Sequence, residues 1–139
     1  MGFFTWNDAY VLGVRLFDSE HKMLFALADE LNEAIARGEN ARTQRNLMNR
    51  FLGALQTHVE HEEALMKHYG FADTEDHALE HRDIVSQVVR MKQKLDAGAI
   101  GLPLDSLSPL KSWFDRHIRH YDQTAARHIR QHEMAGLYV

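Results

Sequence analysis

The sequence predicts an all-α fold, an up-down-up-down antiparallel four-helix bundle preceded by an N-terminal arm. Four segments repeat apolar residues every three or four positions, which is the period of an amphipathic helix. The chain contains no alternating strand pattern of useful length. Because the connections between the four segments are short, consecutive helices are expected to pack side by side and antiparallel.

Capping residues and glycines delimit the predicted helices, which span about 19–37, 41–69, 74–96 and 107–130. Asp18 is the expected N-cap of the first helix, and Gly38 its C-terminal stop. Gly70 and Gly98 follow the second and third helices. Ser108 followed by Pro109 is typical of a helix start, and predicts the beginning of the fourth helix.

The two ends of the chain fall outside this periodicity. Residues 1–18 are not periodic but carry many apolar side chains, which predicts an arm packed along the bundle: Phe3, Phe4, Trp6, Tyr10, Val14 and Phe17. Residues 131–139 are predicted to form a C-terminal tail. With 139 residues the chain is expected to be one domain with a sizeable core.

Composition excludes several classes of function. The net charge of −4 gives no electrostatic reason to expect nucleic acid as a partner. The absence of cysteine excludes disulfides, thiolate metal sites and a cysteine nucleophile. The N-terminus has no basic start followed by a sustained apolar run, and no segment reaches the length of a membrane span. We therefore expect a cytoplasmic protein without membrane insertion.

Polar residues recur on the apolar faces of all four predicted helices, and these are the candidate metal ligands: His21, His58, Glu62, His77, His81, His117 and Asp122. His58 and Glu62 are four positions apart, so both project from one helical face. His117 and Asp122 are five apart, which on an α-helix splays them by roughly 140°. In an antiparallel bundle all seven fall toward the same end.

Burying such groups unpaired costs several kcal/mol, which favours a metal as their partner. Imidazole and carboxylate donors without sulfur suit iron, zinc or manganese. Seven donors are too many for one closed zinc site, so two ions bridged by Glu62 and Asp122 fit better. The chain has no Glu-x-x-His motif, which argues against a ferritin-type di-iron site.

Nearly the whole chain resembles the hemerythrin family in its single-domain form. The resemblance rests on the arm from Trp6 to His21, on the stretch from His58 to Tyr69, on His77 with His81, and on Trp113 to Asp122. It implies two iron ions, bridged by Glu62, Asp122 and an oxo or hydroxo group.

The resemblance further implies a role for each histidine. His77, His81 and His117 would hold one iron, and His21 and His58 the other, which keeps an open position. Dioxygen would bind there end-on and be held as a hydroperoxide. The implied lining of this position is apolar and consists of Leu24, Phe25, Val59, Trp113, Phe114 and Ile118.

The function that follows is reversible dioxygen binding by a non-enzymatic carrier or store. Its partners would be dioxygen and an oxygen-consuming protein that the sequence does not identify. Two alternatives stay open: a module that senses oxygen, redox state or nitric oxide through a partner protein, and a di-iron oxidase or peroxidase. The remaining histidines are expected on solvated helix faces: His61, His68, His120, His128 and His132.

Overall fold

The protein is described by a computed structural model that covers residues 2–137, with side chains up to residue 133. These residues form four long helices and no strand. Helix α1 spans Arg15–Ala36, α2 Ala41–His68 and α3 Thr74–Asp96. Helix α4 begins as Ser108–His117, passes through a π-helical turn at Ile118–Asp122 and continues as Gln123–Leu137. The predicted all-α four-helix architecture is confirmed.

The ends of the helices follow local chemistry. The side chain of Asn40 caps α2 by accepting a hydrogen bond from the backbone N–H of Thr43, at 2.9 Å. Gly38 adopts a left-handed conformation with φ of 66°, which is favourable for glycine because it has no Cβ. The N–H of Glu39 then donates to the carbonyl of Ala34, which closes α1 at the predicted glycine.

Helix α1 starts earlier than predicted, and Asp18 is not its N-cap. Val14 occupies the cap position, and Asp18 lies inside the first turn. Its carboxylate accepts hydrogen bonds from the backbone N–H groups of Leu12, at 2.8 Å, and of Gly13, at 3.1 Å. The acidic residue therefore binds the chain that precedes the helix. Sequence pattern alone does not distinguish this role from an N-cap.

The arm packs on α1 through aromatic rings that surround Phe25. The ring centroid of Phe25 lies 6.0 Å from that of Phe4, 5.7 Å from Trp6 and 5.1 Å from Tyr10, all in edge-to-face geometry. Phe17, in the first turn of α1, is completely buried. The arm thus covers the outer side of an aromatic cluster that continues into the bundle.

Polar contacts fasten the arm at two further places. The backbone N–H groups of Phe3 and Phe4 donate to Asp29 Oδ1 on α1, at 2.6 and 3.3 Å. The hydroxyl of Tyr10 donates to Asp115 Oδ1 on α4, at 2.8 Å. The arm therefore joins the first and last helices of the bundle.

Helix α4 ends later than predicted. It runs to Leu137, so the segment predicted as a tail from residue 131 is helical over its described part, and residues 138–139 lie outside the described range. Ile129 is the last buried apolar residue before the exposed residues 131–133. Gln131, Glu133, Met134 and Ala135 have good intrinsic helix propensity, and they continue the helix beyond the apolar stripe that marks it in the sequence.

The apolar core extends along the bundle on both sides of the candidate ligands, with Phe17, Met66 and Ile129 on one side and the larger part on the other. It includes completely buried side chains such as Leu31, Met48, Phe51, Ile84 and Leu95. None of the helices in residues 2–137 combines the length and apolarity needed to cross a lipid bilayer.

Candidate metal centre

All four helices bring buried polar side chains to one place, and these are the seven residues predicted as ligands. Each is at most 4% exposed: His21, His58, Glu62, His77, His81, His117 and Asp122. They form two overlapping groups whose potential ligand atoms lie within 4.8 Å of one another. The larger group is Glu62, His77, His81, His117 and Asp122, and the smaller is His21, His58 and Glu62.

Glu62 lies between the two groups, and its two oxygens face in different directions. Oε1 is 2.7 Å from Nε2 of His77, 2.9 Å from Nε2 of His81 and 3.9 Å from Nε2 of His117. Oε2 is 2.9 Å from Nε2 of His58 and 3.5 Å from Nε2 of His21. One carboxylate thus faces three histidines with one oxygen and two with the other.

Asp122 repeats this division from the fourth helix. Its Oδ1 lies 2.9 Å from Nε2 of His77 and 3.1 Å from Nε2 of His117. Its Oδ2 lies 3.1 Å from Nε2 of His21. We call His77, His81 and His117 the three-histidine half, and His21 and His58 the two-histidine half. Both carboxylates contact both halves.

The π-helical turn of α4 explains how His117 and Asp122 reach the same point. The expected splay of roughly 140° assumes an α-helical backbone throughout. The residues between them, however, adopt a π-helical turn, in which hydrogen bonds join positions five apart and bring such residues onto one face. Both side chains are consequently buried in the centre. The splay of roughly 140° expected for an α-helix is therefore wrong for this pair.

Several polar atoms of this cluster have no hydrogen-bond partner among the described residues. They include Nε2 of His117, Oε2 of Glu62 and both carboxylate oxygens of Asp122. These atoms are close to one another but are not aligned as donor and acceptor. Buried polar atoms are normally hydrogen-bonded, so such a group needs another partner. Imidazole nitrogens and carboxylate oxygens that converge in this way fit a metal ion.

The charges of the cluster shift the pKa values of its members. Burial lowers the pKa of His58, but the charge of Glu62 and the hydrogen bond to Glu20 outweigh it and raise that pKa to about 10. Burial also opposes ionisation of Glu62, yet the neighbouring histidines, His58 above all, hold its pKa well below the usual value. Without metal the cluster therefore contains imidazolium–carboxylate pairs, and metal binding must displace protons.

Carboxylates outside the cluster hold two of the histidines by their second ring nitrogen. Nδ1 of His58 is 2.9 Å from Glu20 Oε1, and Nδ1 of His81 is 2.8 Å from Glu63 Oε2. Such contacts fix the orientation of a metal-binding imidazole and raise its basicity. Glu20 and Glu63 were not predicted as site residues. Their position next to His21 and Glu62 in the sequence is the only signal that could have indicated them.

Comparison with known proteins identifies the family in which this arrangement of ligands occurs. The model of the hemerythrin HHE cation binding domain matches residues 12–132, which include all seven residues of the cluster. The chain belongs to the hemerythrin family.

Similar hemerythrins match the chain over most of its length. A bacteriohemerythrin of Methylococcus capsulatus is 26% identical over 124 residues, which covers 88% of this chain and 94% of the relative. A bacteriohemerythrin of Pseudomonas aeruginosa is 25% identical over 138 residues, covering 99% and 88%. A crystal structure of wild-type hemerythrin superposes with a TM-score of 0.83 at 25% identity, covering 90% of this chain and 96% of that chain.

Aromatic rings enclose both halves of this hemerythrin-type cluster. Trp113 and Tyr121 both stack on the ring of His117, with ring centroids 4.3 and 5.4 Å from it and interplanar angles of 12° and 14°. Phe17 lies 6.4 Å from both His21 and His58. Phe17 was predicted only as part of the arm, because an isolated phenylalanine gives no sign of its neighbours in the fold.

The residues expected to line the oxygen position have different surroundings. Four of them are buried core residues: Leu24, Phe25, Phe114 and Ile118. Trp113 is buried against His117, which belongs to the three-histidine half. Val59 is half-buried and lines a surface groove between α2 and α3, together with Glu63 and His81.

Two histidines predicted on solvated faces make specific contacts. His61 is 47% exposed, yet its Nδ1 lies 2.6 Å from Glu20 Oε2, so Glu20 contacts both His58 and His61. Nε2 of His128 lies 2.7 Å from the backbone carbonyl of Tyr69, at the end of α2. The first contact connects the two-histidine half to the protein surface, and the second joins α4 to α2.

Proposed function

We propose that this protein binds dioxygen reversibly at a non-haem centre of two iron ions, as a carrier or store rather than an enzyme. The main observation behind the proposal is that the two oxygens of each buried carboxylate face different groups of histidines. Glu62 and Asp122 each direct one oxygen to the three-histidine half and the other to the two-histidine half. A pair of ions bridged by two carboxylates requires this arrangement.

The proposed ligand sets are unequal. One iron would be held by His77, His81 and His117 with Oε1 of Glu62 and Oδ1 of Asp122. The other would be held by His21 and His58 with Oε2 and Oδ2 of the same carboxylates. The second set has one protein donor fewer, so it leaves one more position for an external ligand. When bound, the iron pair supplies that position and the electrons that dioxygen accepts.

The surroundings of the centre support binding over turnover. Leu24, Phe25, Phe114 and Ile118 are buried, and none of them carries a group that can donate a proton. Phe17 covers His21 and His58 with a further apolar ring. A water-excluding apolar wall slows proton delivery and the loss of reduced oxygen species. A reductive enzyme would instead need a proton donor on this apolar wall, since Glu20 and His61 lie on the other side of His58, at its Nδ1.

An optical experiment on the iron-loaded protein tests this proposal. The reduced protein is exposed to air, deoxygenated and exposed again, while charge-transfer bands are recorded in the near-ultraviolet and visible range. Bands that appear and disappear over repeated cycles support a carrier. Irreversible oxidation without such bands would favour a sensor, and steady turnover of a reducing substrate would favour an enzyme. Metal analysis that finds one zinc ion per chain would contradict the two-iron centre itself.

A further inference from the structure

A groove of about 590 Å³ lies between the start of α3 and the π-helical turn of α4, on the outer side of the three-histidine half. Its lining includes Asp73, Asp76, His77, Glu80, His120 and Tyr121. We call it the acidic groove. It reaches from exposed carboxylates at the surface to a buried histidine of the metal centre.

The charges of the acidic groove are of one sign. Asp73 and Asp76 are exposed, and the side chain of Glu80 is 26% exposed. Among the described residues that line the groove there is no lysine or arginine. Carboxylates focused in a concave surface raise the local concentration of cations and the rate at which they bind.

The inner end of the acidic groove is formed by a histidine with an unused nitrogen. His77 is 1% exposed, and its Nε2 lies against Glu62 and Asp122. Its Nδ1, on the other side of the ring, has no hydrogen-bond partner within the part of the chain that the structure describes. Nδ1 of His117 is also unpartnered there, and Glu80 Oε1 lies 3.8 Å from it. The groove therefore ends at one buried imidazole without a hydrogen-bond partner for Nδ1 among the residues described, and Glu80, which lines the groove, lies near a second imidazole.

Tyr121 lies against two of the ligand histidines at the inner end of the acidic groove. It is 38% exposed, stacks on His117 and lies 5.8 Å from the ring of His77. Its backbone belongs to the π-helical turn. Rotation of this one partly exposed side chain would remove the ring that covers both imidazoles.

A second groove also reaches the three-histidine half, but it differs from the acidic groove in the charge of its lining and in the hydrogen bonding of its histidine. It lies between α2 and α3, measures about 560 Å³ and includes Arg82 in its lining. The ligand histidine on its side is His81, whose Nδ1 is already bonded to Glu63 Oε2 at 2.8 Å. Its charge is therefore mixed, and its buried histidine has a protein partner.

We propose that the acidic groove is the entry site for the metal, where a hydrated divalent cation is captured before it passes Tyr121 into the centre. This proposal rests on the metal centre proposed above. Asp73 and Asp76 attract the cation at the surface, and Glu80 is the carboxylate nearest to the ligand histidines. The groove acts on the rate of metal uptake and not on the final ligand set.

The test measures how fast the metal-free protein takes up Co²⁺, used alone as the probe, in a stopped-flow experiment at low ionic strength. The absorption bands of Co²⁺ report its arrival at the imidazole ligands. The double substitution Asp73→Asn and Asp76→Asn should slow uptake by roughly tenfold, because electrostatic focusing changes association rates by this order. The final absorbance and the number of bound Co²⁺ ions should equal those of the parent. Added salt should reduce the difference in rate.

Two controls distinguish an effect of the acidic groove from an effect of net charge and from an effect of the groove between α2 and α3. Glu30→Gln with Glu33→Gln removes the same charge from exposed positions near the far end of α1. Glu60→Gln removes a carboxylate from the groove between α2 and α3. Both controls should take up Co²⁺ at the parent rate. Uptake by the Asp73 and Asp76 variant at the parent rate, or equal slowing in a control, would overturn the entry site while leaving the centre intact. A parent protein that binds no Co²⁺ would overturn both proposals.

Discussion

At the scale of single residues, we propose that Phe114 controls access of oxygen to the proposed centre. It is buried between Phe25 and Phe51, with ring centroids at 6.1 and 6.3 Å. We expect Phe114→Ala to speed both oxygen exchange and autoxidation, because the missing ring opens a path for oxygen and water. Stopped-flow mixing and the decay of the oxygenated spectrum measure the two rates.

Two further variants control for damage to the core: a conservative substitution of Phe114 and a substitution of the neighbouring Phe51. Because Phe→Ala in a core costs about 3 to 5 kcal/mol, Phe114→Leu serves as a milder form of the same change. Phe51→Leu reduces the next ring in the cluster and should leave exchange nearly unchanged. Equal rates in the parent and both Phe114 variants would show that this ring does not limit access.

Glu20 and Glu63, the carboxylates outside the cluster, should each affect the metal affinity of one half only. Glu20→Gln weakens the support of His58, and Glu63→Gln that of His81. We expect each change to reduce metal affinity in one half by about ten- to hundredfold, which is the usual effect of losing such a partner. Competition with a chelator should then remove about half of the bound metal early, while Glu60→Gln behaves as the parent. Loss of both ions together in either variant would contradict independent tuning.

The sequence indicates the seven inner residues because each is polar at a position that helical periodicity marks as buried. It does not indicate Glu20 and Glu63, since a carboxylate on a partly exposed helix face looks the same whether it holds a histidine or only meets water. Phe17 and Tyr121 are missed for a similar reason. An aromatic residue near a helical stripe gives no information about which ring it will contact.

At the scale of structural elements, the π-helical turn makes the five-residue spacing of His117 and Asp122 workable. Deleting Arg119, an exposed residue of the turn, should convert it to α-helix and place the two ligands four apart. We expect this variant to fold and to bind metal. Deleting Arg127, exposed on the α-helical part, should rotate the residues that follow by about 100° and lower the thermal stability, because Ile129 leaves the core and His128 loses its contact with Tyr69.

Circular dichroism, thermal unfolding and Co²⁺ binding measure both deletions. The comparison is matched because each removes one exposed arginine from the same helix. The π-helical turn is interpreted as one residue inserted into an α-helix. If deletion of Arg119 lowers the thermal stability as much as deletion of Arg127, that interpretation is wrong.

The arm provides a pH-dependent contact through Tyr10. Burial, followed by the hydrogen bond to Asp115 and its charge, raises the pKa of Tyr10 to about 12. The neutral phenol is thus favoured in the folded state, while the unfolded chain loses this proton near pH 10. The stability that Tyr10 contributes is complete below about pH 10 and is lost as the pH rises through about 12.

Tyr10→Phe isolates this contribution. At about pH 8 we expect the variant to be less stable than the parent by about 1 kcal/mol, the usual value of one hydrogen bond. At about pH 11 urea unfolding should show a smaller difference, because the parent has lost part of its advantage. A difference that stays constant across this range would mean that the Tyr10–Asp115 contact does not titrate as described.

The predicted elements agree with the structure where local chemistry marks them and differ where it does not. Gly38 is recognisable because a left-handed residue ends the helix there. Asp18 is assigned the wrong role because a carboxylate in the first turn can bind N–H groups on either side of it. The π-helical turn leaves no signal in composition, since its residues are ordinary helix residues and only the buried partners at its two ends require it.

At the scale of the whole molecule, the metal centre couples the four helices. Removing the metal leaves five buried imidazoles and two carboxylates with incomplete partners, so the metal-free protein should unfold at lower temperature and lower urea concentration. An ion present at a hundredfold its dissociation constant stabilises the fold by about 2.7 kcal/mol. Thermal unfolding before and after chelation, and after restoring Fe²⁺, measures the effect. Identical unfolding curves would show that the folded protein gains nothing from the metal.

The common location of the seven residues follows from the sequence because antiparallel helices with short connections fix which ends meet. The division of each carboxylate between two histidine groups does not follow from it. That division depends on side-chain rotation and on the backbone of one turn, neither of which spacing encodes. Topology is thus readable from the chain, whereas the orientation of the ligands is not.

Glu62 is fully buried and lies close to histidines from every helix, including its own. Under the proposed function, this placement ties the lifetime of the protein in a cell to its iron supply. Chains that lack iron would populate open conformations more often and be degraded by proteases sooner. The abundance of the protein would then follow the iron available to it without any change in gene expression.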